Sequence, residues 1–113
     1  MHRILIFMKR KPGLTPAEFR EHYEERHVPV CMPYMQGARR YRRHYLEPLA
    51  TDEELPFDVM TELWFDDRKT CEIVAETMAR NGMPADVIED EERFLDRSQT
   101  RTTISDITET EVG

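Results

Sequence analysis

Glycine is scarce in this 113-residue sequence: there are four, and they never cluster. A loop that cradles phosphates needs several small residues close together, so P-loop chemistry is excluded, and nicotinamide or flavin binding has no support. Cysteine is nearly absent too. Cys31 and Cys71 form neither a CxxC pair nor a metal-like spacing, and they read as free, buried thiols in a reducing compartment. No serine elbow and no Cys–His nucleophile motif is evident, since Ser98 and Ser105 stand in plain polar contexts. The apolar run near the N-terminus, Ile4 to Met8, is too short for a signal-peptide core or a membrane span. Positive charge is in deficit, with 16 Lys plus Arg against 23 Asp plus Glu and a net charge of −7. An acidic chain lacks the basic field that nucleic-acid phosphates require. The reading is a soluble, cytoplasmic protein with no nucleic-acid or membrane partner.

What is present amounts to one domain, residues 1–113. Charged residues make up 35% and the mean hydropathy is −0.70, so the core must be compact and a second copy is a natural source of further burial. Residues 3–9 form an apolar run closed by Pro12-Gly13, a strand and its turn. Thr15, Pro16 and Glu18 then spell a helix start with a capping box, and Pro29 and Pro33 end that helix or loosen its continuation. Residues 38–47 read as a second strand, 48–56 as an exposed loop and 58–65 as a third strand. Asp66-Asp67 caps a second helix that Asn81-Gly82 stops, and Pro84 starts a further helical stretch. The Thr- and Ile-rich stretch 101–112 reads as a fourth strand.

The order β-α-β-β-α-β predicts a ferredoxin-like α+β fold: a four-stranded antiparallel sheet with its helices on one face. The other face is left bare, and pairing two such sheets hides it. Val59, Thr61, Leu63 and Phe65 alternate along the third strand and are expected to lie against the partner sheet of a homodimer.

The first helix carries the sharpest chemical signal. Phe19, His22, Tyr23, Arg26 and His27 fall within one stripe at about 100° per residue. Polar groups where a small core wants aliphatic ones point to a cavity between helix and sheet. His27, near the helix end, suits a general acid or base, and it equally suits a core histidine satisfied by a backbone carbonyl or by Glu62. Tyr41 and Tyr45 share one face of the second strand, with Arg42 and His44 on the other. A Tyr41 hydroxyl reaching the cavity of His27 would stabilise negative charge on a substrate oxygen, while the pair also suits plain aromatic packing. Trp64 offers a flat apolar wall, and Glu62 beside it is placed to orient His27 or to pair with an arginine. Arg39, Arg40, Arg42 and Arg43 flank Tyr41 and suit a solvated or dimer-facing edge, or an anion-binding patch. His22 and His27 are five apart, one residue too long for two metal ligands on an α-helix, so no metal site is expected.

The segments MKRKPGLTPAEFREHYEERHVPV, TELWFDD and EDEERFLDRSQTR resemble the EthD-like family of dimeric α+β barrel proteins. The resemblance runs from the first strand to the start of the last. It implies no cofactor and a small-molecule chemistry: relatives in aromatic polyketide pathways act as decarboxylases, dehydratases or cyclases, and a related lactone methylisomerase uses a helix histidine and a strand tyrosine. By resemblance His27 and Tyr41 take the catalytic roles. Glu62, Trp64, Phe94 and Asp96 then contribute to substrate binding, alongside His22, Tyr23 and His44. The expectation is a cofactor-independent homodimeric enzyme acting by proton transfer on a small phenolic or polyketide-derived carbonyl compound. Its alternatives are a non-catalytic accessory protein that binds a small molecule for an oxygenase, and a cofactor-free monooxygenase.

Overall fold

In the computed structural model, residues 2–113 are described, so Met1 of the expected domain lies outside the described residues. Strand β1, His2–Arg10, buries Ile4, Ile6 and Met8 on one face and leaves Arg3, Leu5, Phe7 and Lys9 on the other. It ends in a turn at Gly13, whose φ of +97° suits a residue without a Cβ. Helix α1, Pro16–His22, starts as the sequence spells it. Thr15 Oγ1 accepts from the Glu18 amide at 3.1 Å, and Glu18 accepts in return from the Thr15 amide at 2.9 Å.

The helix does not stop before Pro29. It widens into a π-turn over Tyr23–His27, resumes as α2 over Val28–Cys31 and tightens to a 3₁₀ turn over Met32–Tyr34. The Val28 amide donates to the Tyr23 carbonyl, five residues back. An uninterrupted α-helix would press the Pro29 ring against the carbonyl four residues earlier, and the wide turn just before it gives that ring room. The expected loosening at the prolines is therefore a change of helical pitch rather than an end.

Strand β2 spans Arg40–Tyr45 and β3 spans Val59–Phe65; the connection between them has no regular structure. Helix α3, Arg68–Ala79, is capped by Asp67, which accepts from the Thr70 amide at 2.9 Å. It closes with Asn81 in the left-handed region at φ 60° and the Gly82 amide donating to Thr77 at 2.8 Å. Helix α4 covers Ala85–Phe94 and passes without a loop into β4, Leu95–Ser105. The fourth strand thus starts six residues before the expected Arg101 and stops at Ser105. Leu95 already pairs with Arg10, the last residue of β1, and Ser105 pairs with Arg3, its second, so the strand stops where its partner begins.

The sheet order is β2-β3-β1-β4, antiparallel throughout, with the helices on one face, as the ferredoxin-like reading requires. The facing of β3 is the reverse of the expectation. Val59, Thr61, Leu63 and Phe65 are buried beneath this chain's own helices, packed with Ile4, Phe19, Tyr23 and Phe94. Alternation named the two sets correctly but carries no sign, and the apolar set went to the helices within the same chain. The uncovered face instead carries Leu5, Phe7, Met60 and Trp64 among charged neighbours. No helix is long and apolar enough to cross a membrane among the described residues.

Candidate acid–base site

Helix α4 presents Val87, Asp90 and Phe94 to the interior at spacings of three and four. Asp90 is thus a carboxylate in a core position, 3% exposed. A buried charge must be given hydrogen-bond donors or it is prohibitively costly. The wide turn supplies them. His27 Nδ1 lies 2.8 Å from Asp90 Oδ2, and His22 Nε2 lies 3.1 Å from Oδ1. In an α-helix residues five apart diverge by about 140°; a π-turn brings the fifth residue back round, so both imidazoles reach one carboxylate. The same added residue swings Arg26 out of the expected stripe into solvent. Phe94 lies beneath both rings, with centroids 4.7 Å from His22 and 4.7 Å from His27.

The far side of the His27 ring is occupied as well. Nε2 is 3.3 Å from the Cys31 sulfur, one helical turn on. The Tyr41 hydroxyl lies beside that sulfur and donates to the Tyr23 hydroxyl at 3.0 Å. Tyr23 in turn shares a hydrogen bond of 2.7 Å with Thr61. A continuous polar path therefore crosses the core from Asp90 through His27 and Cys31 to Tyr41, Tyr23 and Thr61.

The electrostatics assign the protons. Burial pushes the Asp90 carboxyl upward, but the bonds from His27 and His22 outweigh it and hold it below its ordinary 3.8. Ionised, it can only accept, so Nδ1 of His27 donates. Burial lowers the His27 pKa despite the partner carboxylate, which keeps the ring neutral and Nε2 free to accept. Burial raises the Cys31 thiol to about 12, so Cys31 is the S–H donor to Nε2. Burial also raises both buried tyrosines well above their ordinary value of 10, so both hydroxyls stay protonated.

Several cavities flank this region, among them an open one of about 340 Å³ on the strand side lined by Tyr41, Arg43 and Tyr45. A small one of about 80 Å³ is walled by Leu63, Phe65, Val74 and Val87, with Met35, Met78 and Met83 adding adaptable sides and Cys31 a polar corner. A larger groove of about 460 Å³ runs between the start of α1, the end of β2 and the following loop, past Arg10, Phe19, Arg20 and Tyr45. Neither His22 nor His27 lines the groove or the small cavity, and Cys31 is the residue of the polar path that lines the small one. The small cavity is the one that meets the polar path.

The structure brings His22, Tyr23, His27, Tyr41 and Phe94 together. It does not bring His44, Glu62, Trp64 or Asp96 to them. Register explains the division: Tyr41 pairs with Leu63 and Tyr45 with Val59 on the helix side, while Arg42 pairs with Glu62 and Arg40 with Trp64 on the uncovered side. Glu62 therefore cannot orient His27. It accepts from His44 at 2.9 Å and meets Arg3 at 3.5 Å and Arg42 at 3.6 Å. Trp64 is stacked by Arg3 at 3.9 Å and Arg40 at 5.1 Å, and cannot wall one ring together with Phe94. Asp96 caps the Ser98 hydroxyl at 2.6 Å at the start of β4. The arginines around Tyr41 are each engaged, Arg43 with Glu24 through two bonds and Arg39 with Asp66. Sequence reasoning missed Asp90 and Cys31. Asp90 was visible as a charge in the 87/90/94 stripe, and Cys31 as the residue four after His27. The π-turn also removes the spacing argument against a shared His22–His27 ligand pair; among the described residues, no group of three or more His, Cys, Asp or Glu side chains is placed to hold a metal ion.

A family model, described as the EthD domain, matches residues 11–98. No curated protein sequence matches the chain. Among solved structures, an EthD family protein from Bacillus halodurans is similar at a TM-score of 0.60 and 21% identity, covering 96% of this chain and 100% of that one. The protein At3g17210 of Arabidopsis thaliana is similar at 0.60 and 13% identity, covering 99% and 100%. HapK of Hahella chejuensis is similar at 0.55 and 15%, covering 100% of both chains. These likenesses show the fold.

A buried neutral histidine leaves a signature in stability. His27 titrates below its ordinary 6.5 in the folded chain, so as the pH falls the unfolded state takes up its proton first. Its contribution is complete above that value and is lost on acidification through the folded pKa. Melting temperature should fall more steeply in wild type than in His27→Gln from pH 6.5 down to about 5, above the range where carboxylates titrate. Parallel curves through that window would contradict the buried neutral ring.

Proposed function

The chain belongs to the EthD domain family, and from that premise we propose that it is a cofactor-independent enzyme moving a proton beside the carbonyl of a small organic compound. One observation carries the reading: a neutral imidazole, 2% exposed, is held at Nδ1 by an ionised carboxylate while its basic Nε2 points toward the corner of an apolar cavity. An orienting carboxylate fixes the tautomer and stabilises the imidazolium as it forms. Asp90 is accordingly a positioning residue and His27 the acid–base group. Tyr41, protonated and next to the same corner, donates to an oxygen that gains charge.

The cavity's size bears on the substrate. About 80 Å³ suits a fragment of a few atoms, short of the ~150 Å³ that admits a benzene ring. The expected phenolic or polyketide-derived compounds enter only as the three methionines give way, so a small carbonyl compound is the better fit. Decarboxylation, dehydration and ring closure all pass through an enolate-like charge that this arrangement serves.

Assembly follows from the uncovered face. Leu5, Phe7, Met60 and Trp64 form an apolar centre rimmed by Arg3 and Arg42, and a second copy of the chain covers it in this reading. Sedimentation at low micromolar concentration should give about twice the 13.5 kDa chain mass, and Phe7→Glu should halve it. A clean wild-type monomer would remove the dimer.

The proton-transfer role has a readout that needs no knowledge of the natural substrate. Small ketones and β-keto acids in D₂O should lose their α-proton NMR signals faster with wild-type protein. His27→Ala should reduce that rate roughly 10²- to 10⁴-fold, and Asp90→Asn should reduce it in the same direction because the tautomer is no longer fixed. An accessory protein would bind such compounds with no exchange in any variant. Full exchange in a folded His27→Ala protein would sink the assignment.

A further inference from the structure

The proton-transfer reading leaves Cys31 unexplained, and yet Cys31 is the only member of the Asp90–His27–Cys31 line that touches the cavity. We infer that Cys31 is a catalytic thiol of this site and that the cavity takes small, uncharged electrophiles such as α,β-unsaturated carbonyl compounds. The inference rests on the reading of His27 as an acid–base group and extends it to the atom that meets the ligand.

Three observations converge. Cys31 sulfur is 3.3 Å from the accepting nitrogen of His27, whose other nitrogen is held 2.8 Å from a buried carboxylate. That is the geometry by which a base activates a nucleophile and a third group orients the base. The sulfur also lines the small cavity together with Leu63, Phe65, Val74 and Val87, so an incoming molecule meets mainly apolar surface; Tyr34 and Thr70 are the other polar side chains of the lining, and the Tyr41 hydroxyl lies behind it beside the sulfur. Finally the second cysteine offers a contrast within the same chain. Cys71 is also buried, but among the described residues it has no imidazole partner, and it does not line this cavity. Burial alone makes an inert thiol; the histidine and the cavity distinguish Cys31.

The step balances without an oxidant or a further reactant. His27 Nε2 takes the thiol proton as the sulfur pair forms an S–C bond to the β-carbon of the enone. The C=C π pair shifts toward the carbonyl, giving an enolate whose oxygen the Tyr41 hydroxyl can meet. The enolate α-carbon then takes the proton back from His27 Nε2–H, so S–H has added across C=C. Asp90 stays ionised throughout and balances the transient imidazolium. The reverse sequence releases the ligand, so a reversible adduct can serve turnover as well as capture.

The size and polarity of the cavity set the selectivity. A short neutral enone fits beside the sulfur, whereas an ion would lose its hydration against apolar walls. The probe is therefore methyl vinyl ketone at slight molar excess, followed by peptide mass mapping, with iodoacetate as the charged comparison. Wild-type protein should gain one enone adduct, at Cys31 and ahead of Cys71, while iodoacetate leaves Cys31 unmodified. His27→Gln should slow Cys31 labelling at least ~10-fold. If that substitution loosens the fold, both cysteines become more accessible together, so the ratio of Cys31 to Cys71 labelling reads the relay independently of stability. Labelling of Cys31 no faster than Cys71, or a ratio unchanged in His27→Gln, would overturn the role of Cys31. Such a result with α-proton exchange intact would leave the His27 reading standing. Labelling as expected with no exchange would keep the thiol site and remove the proton-transfer enzyme.

Discussion

A carboxylate placed inside a small core dictates much of what surrounds it. Asp90 projects from α4 at a position where Val87 and Phe94 are both buried, and it stays ionised there. Left unpaired it would be a serious penalty, and removing one partner of a buried charged pair typically costs about 3–5 kcal/mol. Two imidazoles meet it, and Arg93 approaches from the solvent side at 3.3 Å. Reaching it from a single helix requires residues 22 and 27 to face the same way, which an α-helix forbids and the π-turn allows. The wide turn that also gives the Pro29 ring room, the stacking of Phe94 under both rings and the direction of His27 Nε2 all go together with satisfying that one charge. A local irregularity in the backbone becomes intelligible as the condition for a buried acid–base pair.

The sheet divides the rest of the polar chemistry into two sets that do not communicate. On the helix side, Cys31 donates to His27 and His27 to Asp90, while Tyr41 beside the sulfur donates to Tyr23, which shares a bond with Thr61. Such a network is worthwhile only when fully satisfied, since each orphaned group costs about 1–3 kcal/mol. On the opposite side, Glu62 gathers His44, Arg3 and Arg42 around Trp64, leaving an arginine-stacked aromatic on a face with no helix to cover it. The first set has the features of a reactive site, with a cavity at its end. The second lies on the face of the sheet that no helix covers.

Much of the fold was legible in the sequence because its signals are local. Thr15-Pro16-Ala17-Glu18 writes a helix start, Asn81-Gly82 writes a stop, and the order of periods gives the ferredoxin-like arrangement. What escaped depends on relations between elements. Alternation in β3 separates Val59, Thr61, Leu63 and Phe65 from Met60, Glu62 and Trp64 but does not say which set the helices cover. Nothing local in the sequence separates Glu62 from His27; strand register does, by turning Glu62 to the uncovered face. Asp90 and Cys31 were passed over for different reasons. Asp90 sits in the acidic run Glu89 to Glu92, where one inward carboxylate looks like its solvated neighbours. Cys31 lies two residues past Pro29, where the helix was expected to be ending, so its position one turn after His27 had no helix to stand on.

The account turns on the state of one ring. If Asp90 is ionised and buried, His27 is neutral with its proton on Nδ1, and Nε2 is left as the base that faces Cys31. Nitrogen-15 NMR of the imidazoles reads this directly. Near pH 7, where an ordinary histidine is mostly neutral but favours no fixed geometry, His27 should show a protonated Nδ1 and an unprotonated Nε2. Its Nδ1–H proton should exchange slowly with water and disappear in Asp90→Asn. A ring protonated at Nε2 instead, or an imidazolium at that pH, would leave no basic nitrogen toward the cavity and would contradict the central claim.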